Sequence, residues 1–532
     1  MKRLIILLSV FILLHGCRPL ETNQPIQAER LSIAELQEIL ADTNAQRFEA
    51  EVSTAYSLFP IAFADSNNDG IGDLRGIIEN LDVLNDGDPN TFNDLGIDAI
   101  WLNPIHPSKT YHKYDVKDYY GIDPAFGTLD DFKDLLQEAH RRGIKIILDV
   151  VFNHTSSEHP WFLKALQREE PYFSYYNIHV KIDYSDYPGK TGYNVRNGLT
   201  YYSAFWGEMP ELNPENEAVR DEFKAILDFW IDLGVDGFRY DAAKHMYDPN
   251  EYPKGTPIVQ LNKQFWMEMK AHAKSRNPDI FLIGEVWVDS SSAAPLVAGF
   301  DSIFNFDVQT AMVSMLKSEY QSNFVSTYNS TLTKFTLNNA NFINATFLSN
   351  HDQDRIMSQL SGSDAKMRLA AHILFTLPGI PFIYYGEELG MLGVKPDERI
   401  REPFRWSEDA QAPNAMWTKW TYNQKTTPYD QQVNDPSSLW SMYRDLIRLR
   451  KESNALRFGA LEAVNFNTNR ILAYRRVFES QGLLVLHNLS GQAITLSLEK
   501  AGTVVLNHQA NEVEGIDVTM KPYGTLVLNL SE

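Results

Sequence analysis

Eight short apolar runs, separated by stretches with helical periodicity, constrain this chain more than any other feature. The runs are residues 58–64, 99–104, 145–151, 237–241, 281–286, 302–306, 345–349 and 380–385. Amphipathic segments such as 129–142 and 217–233 lie between most of them. A strand covered on both faces reads as a continuous apolar run, and parallel strands need helix-length crossovers between them. Eight strand–helix units can close on themselves, so the pattern predicts an α/β fold, a (β/α)8 TIM barrel.

Two departures from the alternation mark further domains. The stretch 154–205, between the third and fourth runs, is long, Tyr-rich and irregular. A segment of that length inside a compact fold reads as a functional insertion, here a small inserted domain after the third strand. The barrel then comprises 51–153 and 206–453. Beyond residue 453 the helical signal ends, and runs 470–476, 482–487, 493–498 and 523–528 read as short strands. Residues 454–532 are therefore expected to form a C-terminal antiparallel, sandwich-like β-domain. With 48 Lys+Arg against 69 Asp+Glu, the net charge of −21 makes the chain a poor partner for phosphate backbones, and no nucleic-acid partner is expected.

The N-terminus has the shape of an export signal. Lys2 and Arg3 precede an apolar stretch, 4–14, whose eleven residues are too few to span a bilayer of about 30 Å. Leu14-His15-Gly16-Cys17 follows and resembles the lipobox of a bacterial lipoprotein, in which the cysteine is acylated. Residues 1–17 would then be a signal peptide ending at Cys17, and 18–50 a polar tether with one helix over 31–40. The expected location is the cell envelope, with membrane contact only through a lipid anchor. An ordinary secretory signal and a secreted protein are the alternative. Cys17 is the sole cysteine, so the chain can form neither an internal disulfide nor a cysteine metal cluster.

In such a barrel the chemistry belongs at the C-terminal ends of the strands. The third run ends Asp149-Val150-Val151-Phe152-Asn153-His154. The fourth reads Gly237-Phe238-Arg239-Tyr240-Asp241 and continues Ala242-Ala243-Lys244-His245. The fifth ends Gly284-Glu285-Val286-Trp287, and the seventh Ser349-Asn350-His351-Asp352. Asp241, Glu285 and Asp352 thus converge on one rim. A metal-dependent hydrolase would favour His-x-His or His-Glu-x-x-His, and neither string occurs. Glycoside hydrolysis needs one carboxylate to attack and another to protonate the leaving oxygen. Arg239, two residues before Asp241, is expected to pair with it and lower its pKa. Glu285, near two anionic acids, is expected to have a raised pKa, as a general acid needs.

These four clusters, in this order, resemble the signature regions of the α-amylase superfamily, glycoside hydrolase family 13. The likeness extends over about residues 51–532. It implies that Asp241 is the nucleophile, Glu285 the acid/base, and Asp352 the acid that grips the distorted sugar. It further implies that Tyr114, His154, Arg239 and His351 line that sugar's subsite, and that Lys244 and His245 contact the leaving-group sugars. The insertion corresponds to the family's domain B.

The segment Asp65-Ser66-Asn67-Asn68-Asp69-Gly70-Ile71-Gly72-Asp73 spaces oxygen donors as calcium loops do. Side chains of Asp65, Asn67, Asp69 and Asp73 and the carbonyl of Ile71 are the expected Ca2+ ligands, with Gly70 at the sharp turn. Gly76 stands where an EF-hand has Glu, so the motif is incomplete; an ion-free Asx-rich turn is the alternative. By resemblance, Asn153 would serve the family's other calcium site, with Asp183 and Asp186 as candidate partners.

Lys244-His245 resembles α-amylases, whereas Met209-Pro210-Glu211-Leu212-Asn213 and the calcium loop resemble neopullulanases and oligo-1,6-glucosidases. Members acting on α-1,6 bonds carry Val where Ala242 stands. The mixture implies a monomeric α-amylase of intermediate type acting on α-1,4-glucans such as starch and maltooligosaccharides. A cyclomaltodextrinase or neopullulanase, an oligo-1,6-glucosidase, a transglycosylase and a catalytically inactive glucan-binding or transporter-accessory relative are the alternatives.

Overall fold

The computed structural model describes residues 30–41 and 46–530. Its centre is a closed barrel of eight parallel strands: β1 (Ala55–Leu58), β2 (Ala99–Leu102), β3 (Lys145–Val150), β4 (Gly237–Tyr240), β5 (Phe281–Gly284), β6 (Ser302–Phe304), β7 (Ile343–Phe347) and β8 (Ile380–Tyr384). Each strand pairs with its neighbours in sequence, and β1 closes the ring against β8 through Ala55–Phe382, Tyr56–Ile383 and Ser57–Tyr384. The period of two divides every strand between two cores. Ala99, Trp101, Ile147, Phe281, Ile283, Phe304 and Phe382 fill the interior. Ile100, Leu102, Ile146 and Leu148 face the surrounding helices.

Those helices carry their own stop and start signals. Thr128 and Asp131 form a capping box on Leu129–Arg141. Asn216 caps Glu217–Leu233, which ends at Gly234 with φ of 104°, a left-handed turn that glycine takes without strain. The first apolar run, 58–64, is not one strand as expected. The ladder stops at Leu58, and Pro60–Phe63 forms a single helical turn. Pro60 has no N–H for a ladder and a φ suited to the first helical position.

The stretch expected as a polar tether is packed on the barrel over its described residues. Ser32 caps the helix Ile33–Leu40, whose Leu36 is fully buried with Met267 and Ala271 of the helix Ile258–Arg276. Arg30 pairs with Glu215 at 3.2 Å and lies over the Tyr247 ring. A second helix, Gln46–Glu51, drops Phe48 into the interior core, stacked on Phe281 at 3.9 Å and 4°. The export signal and Cys17 lie outside the described residues. No helix among the described residues is long and apolar enough to cross a membrane.

Between β3 and β4 the chain forms a three-stranded antiparallel sheet of Ile178–His179, Leu199–Tyr202 and Tyr193–Arg196, in that spatial order. At the C-terminal end the helical signal runs further than expected, since Asn454–Phe458 is helical under a Ser453 cap. Beyond it lie two antiparallel sheets. One has the order Ala460–Ala463, Ile471–Phe478, Gln481–Asn488, Thr525–Asn529, Thr503–His508; the other, Ile494–Ser497, Asp517–Met520, Glu512–Glu514. Leu484, Leu486, Leu526 and Leu528 of the first meet Leu496, Val518 and Met520 of the second in one core. The opposite face sits on the barrel, where the Tyr474 hydroxyl meets that of Thr376 at 2.6 Å.

Candidate active site

Arg239 is the hub. Strand β4 delivers it, wholly buried, into the mouth of the barrel. Its Nη1 donates to Asp149 Oδ1 at 2.9 Å and Asp241 Oδ1 at 2.7 Å. Its Nη2 is 3.1 Å from Glu285 Oε2, an ion pair without hydrogen-bond alignment. Asp149 is held further by Trp101 Nε1 at 3.1 Å and the Tyr114 hydroxyl at 3.0 Å. The guanidinium also lies 5.0 Å from the Trp101 ring centre, a cation–π contact made by a fully buried side chain.

One cation thus faces three carboxylates, Asp149, Asp241 and Glu285. Burial pushes all three upward, and Arg239 pulls each back. For Glu285 the upward direction agrees with expectation, and Asp241 and Asp352 add to it. For Asp241 the expectation is corrected. The ion pair with Arg239 exists, but burial outweighs it and the carboxyl sits above its ordinary value. The contacts still separate the two roles. Asp241 has the short, aligned bond to Arg239 that favours its anion, whereas Glu285 takes only the unaligned contact and the Ala242 N–H at 3.0 Å. Glu285 is the better proton holder.

Asp352 lies at the other side of the same cavity. Burial would raise its pKa, but His351 and Arg401 reverse the sign and hold it far below the carboxylate range. Arg401 Nη2 is 2.7 Å from Asp352 Oδ1, and its Nε donates to the His351 carbonyl at 2.8 Å. His351 Nε2 lies 2.7 Å from the Tyr114 hydroxyl, and the two rings stack at 5.4 Å and 7°. His154 is buried and pushed down to about 4, so it is neutral, and its Nε2 makes no hydrogen bond. Tyr114, His154, Asp241, Lys244, His245, Glu285 and Asp352 line one open cavity of about 740 Å³.

The whole chemical set converges: two apposed carboxyls on a shared guanidinium, a third held ionised, and a cavity between them. A model of the alpha amylase catalytic domain matches residues 57–459. The chain belongs to the α-amylase family. A model of the alpha-amylase SusG C-terminal domain matches residues 471–527. The chain is 39% identical to Alpha-amylase 3 of Dictyoglomus thermophilum, over 89% of this chain and 92% of that protein. It is 32% identical to a 4-alpha-glucanotransferase of Thermotoga maritima, over 89% and 99% respectively. The crystal structure of an alpha-amylase from H. orenii superposes with a TM-score of 0.84 at 38% identity, covering 91% of this chain and all of that one.

Two residues of this α-amylase-family site escape a reading of motifs. Asp149 is one; its only signal is an acid inside an apolar strand, which is costly unless paired. Arg401 is the other; it comes from the loop after β8, and no pattern around it announces a role. Phe205, Met209, Trp287, Lys395 and Asp397 also line the cavity.

The loop 65–73 is a chain of Asx turns. Asp65 accepts from the N–H groups of Asn67, Asn68 and Gly70, Asn67 from Asp69, and Asp69 from Ile71. Its donors are hard oxygens of the kind calcium takes. Asp73 has a second task, capping the helix Leu74–Glu79 through Gly76 N–H while its other oxygen accepts from Ser66. Asn153 donates from Nδ2 to Glu211 and to the His245 carbonyl, joining the segments that follow β3 and β4. Asp183 caps the short helix Tyr184–Asp186, and no hydrogen bond or ion pair joins Asp183 or Asp186 to Asn153 among the described residues.

Proposed function

We propose that this chain is a retaining, endo-acting hydrolase of α-1,4-glucosidic bonds in starch, maltodextrins and related glucans. The observation that carries the reading is the Arg239 fork, which holds Asp241 and Glu285 together at one open cavity. Lys395, Asp397 and Arg401 line it together with Phe205, Lys244, His245 and Trp287. A cavity of about 740 Å³ that opens to solvent leaves room for a stretch of glucan chain. Asp241 attacks the anomeric carbon as Glu285 gives its proton to the departing glycosidic oxygen. A water, deprotonated by Glu285, then releases the sugar from Asp241. Two displacements retain the α-configuration. Asp352, ionised through Arg401 and His351, stabilises the positive charge that develops on the ring.

A second reading, glucan transfer, is favoured by the aromatic rings at the leaving-group end. Trp287 is 43% exposed and Phe205 49% exposed, both in the cavity wall. Such rings hold an acceptor sugar in the place of water. Product analysis on starch, pullulan and cyclodextrin separates the readings: short linear products support hydrolysis, and lengthened chains support transfer. NMR of the first product must show the α-anomer; the β-anomer would refute retention.

The loop 65–73 would hold Ca2+ through Asp65, Asn67, Asp69 and the Ile71 carbonyl, where the ion would stabilise the loop and take no part in the reaction. Cys17 would carry lipid and fix the enzyme, as a monomer, to the cell envelope. Fractionation of wild type and Cys17→Ser tests the anchor, which fails if wild type is wholly soluble.

A further inference from the structure

We propose that Asp248 is a positioning residue for the leaving-group side of the cleft, fixing the His245 imidazole and tying it to the inserted domain. The proposal rests on the hydrolase reading above. His245 lines the cavity beside Lys244 and Glu285. Its Nδ1 lies 2.7 Å from Asp248 Oδ2. Asp248 is itself 4% exposed, and its other oxygen accepts from the Tyr202 hydroxyl at 3.1 Å and the Asn250 N–H at 2.8 Å. Tyr202 ends the inserted strand Leu199–Tyr202. Phe205, also of the insertion, packs edge-on against the imidazole at 5.1 Å and 74°. The ring is therefore held by the barrel through its own loop and by the inserted domain through Tyr202 and Phe205.

A fixed carboxylate at Nδ1 also decides where the proton sits. Nδ1–H donates to Asp248, leaving Nε2 as the ring's acceptor. Lys244 can only donate, so the two neighbours offer a sugar hydroxyl one donor and one acceptor. For Asp248 itself burial acts upward, but His245 and the Asn250 N–H outweigh it and hold it below its ordinary value.

The test separates leaving-group contacts from the rest of the site. Asp248→Asn keeps the size and can still accept from Tyr202, but its amide can donate to Nδ1 and reverse the tautomer. We expect kcat/KM on maltotetraose to fall about tenfold. Turnover of maltosyl fluoride, whose leaving group touches neither Lys244 nor His245, should stay within about twofold. In a His245→Ala background Asp248→Asn should cost nothing further, because residues that act through one another are not additive. Tyr202→Phe, which removes one hydroxyl, should show the same split at smaller size and covers the case in which Asp248→Asn does not fold. Equal losses on both substrates, or additive losses in the double variant, would overturn the proposal. A wild-type chain inert to both substrates would overturn the hydrolase reading and this one with it.

Discussion

Replacing Arg401 with alanine tests the part of the site that motifs do not reveal. The guanidinium is 3% exposed and makes a 2.7 Å charge-assisted bond to Asp352. Such bonds contribute about 1.5–3 kcal/mol. If that stabilisation is expressed in the transition state through Asp352, kcat/KM on maltotetraose should fall by about 10- to 150-fold. The pH dependence gives a second, independent readout. Asp352 is held below its ordinary value by His351 and Arg401. Removing one of them lets the carboxyl take a proton at higher pH, so the acid limb of kcat/KM moves upward. Stability follows the same sign. A carboxyl with a depressed folded pKa contributes stability above its unfolded pKa, about 3.9, and loses it as pH falls through the folded value. The variant's melting deficit should therefore be largest near neutral pH and shrink on acidification. The assay is a pH series of specificity constants for wild type and Arg401→Ala, with melting curves at each pH. A loss under about threefold, with an unmoved acid limb, would refute the claim that Arg401 acts by keeping Asp352 charged.

Other perturbations follow from the same contacts. Ala242 has φ of 47°, a left-handed conformation that costs a β-branched residue roughly 1–2 kcal/mol, and its N–H holds Glu285. Ala242→Val should lower the specificity constants for maltotetraose and isomaltotriose together; a clean switch toward the α-1,6 substrate with unchanged stability would contradict this. Phe48→Ala should cost about 3–5 kcal/mol in urea unfolding, since it empties the base of the barrel interior. Asp69→Ala should lower the melting temperature in calcium and abolish the response to chelator, whereas identical wild-type curves with and without chelator would mark the loop as ion-free.

The barrel was legible because β2 through β8 are buried on both faces, which writes each as an apolar run without ambiguity. The first run misled, because the strand is Ala55–Leu58 and shares only Leu58 with it, while Pro60 turns the apolar sequence that follows into a helical turn. The strap from Arg30 to Glu51 reads as polar because, among its described residues, two side chains, Leu36 and Phe48, carry its burial. In the C-terminal domain Thr503–His508 carries its apolar residues Val504, Val505 and Leu506 consecutively and largely exposed, so no alternation of buried and exposed positions marks it as a strand. The convergence of Asp241, Glu285 and Asp352 on one cavity could be read from strand ends alone. Their electrostatics could not, because the sign for Asp241 depends on how completely burial outweighs one guanidinium. Arg401 was invisible for a different reason: a residue on a loop acquires its role from where the barrel closes.

That closure has a consequence for how the chain becomes active. The hydrogen bond from Arg401 to the Tyr111 hydroxyl joins residues 290 apart, across the seam where β1 meets β8. Tyr114 follows β2, Asp149 lies in β3, and Asp241, Glu285 and Asp352 follow β4, β5 and β7, so each growing length of polypeptide holds only an arc of the pocket. A chain emerging from a ribosome or a translocation pore has no working subset of these groups until its last strand has docked on its first. Turnover therefore reports ring closure itself. In a refolding experiment it should recover with the slowest, longest-range phase, after the helical signal has returned.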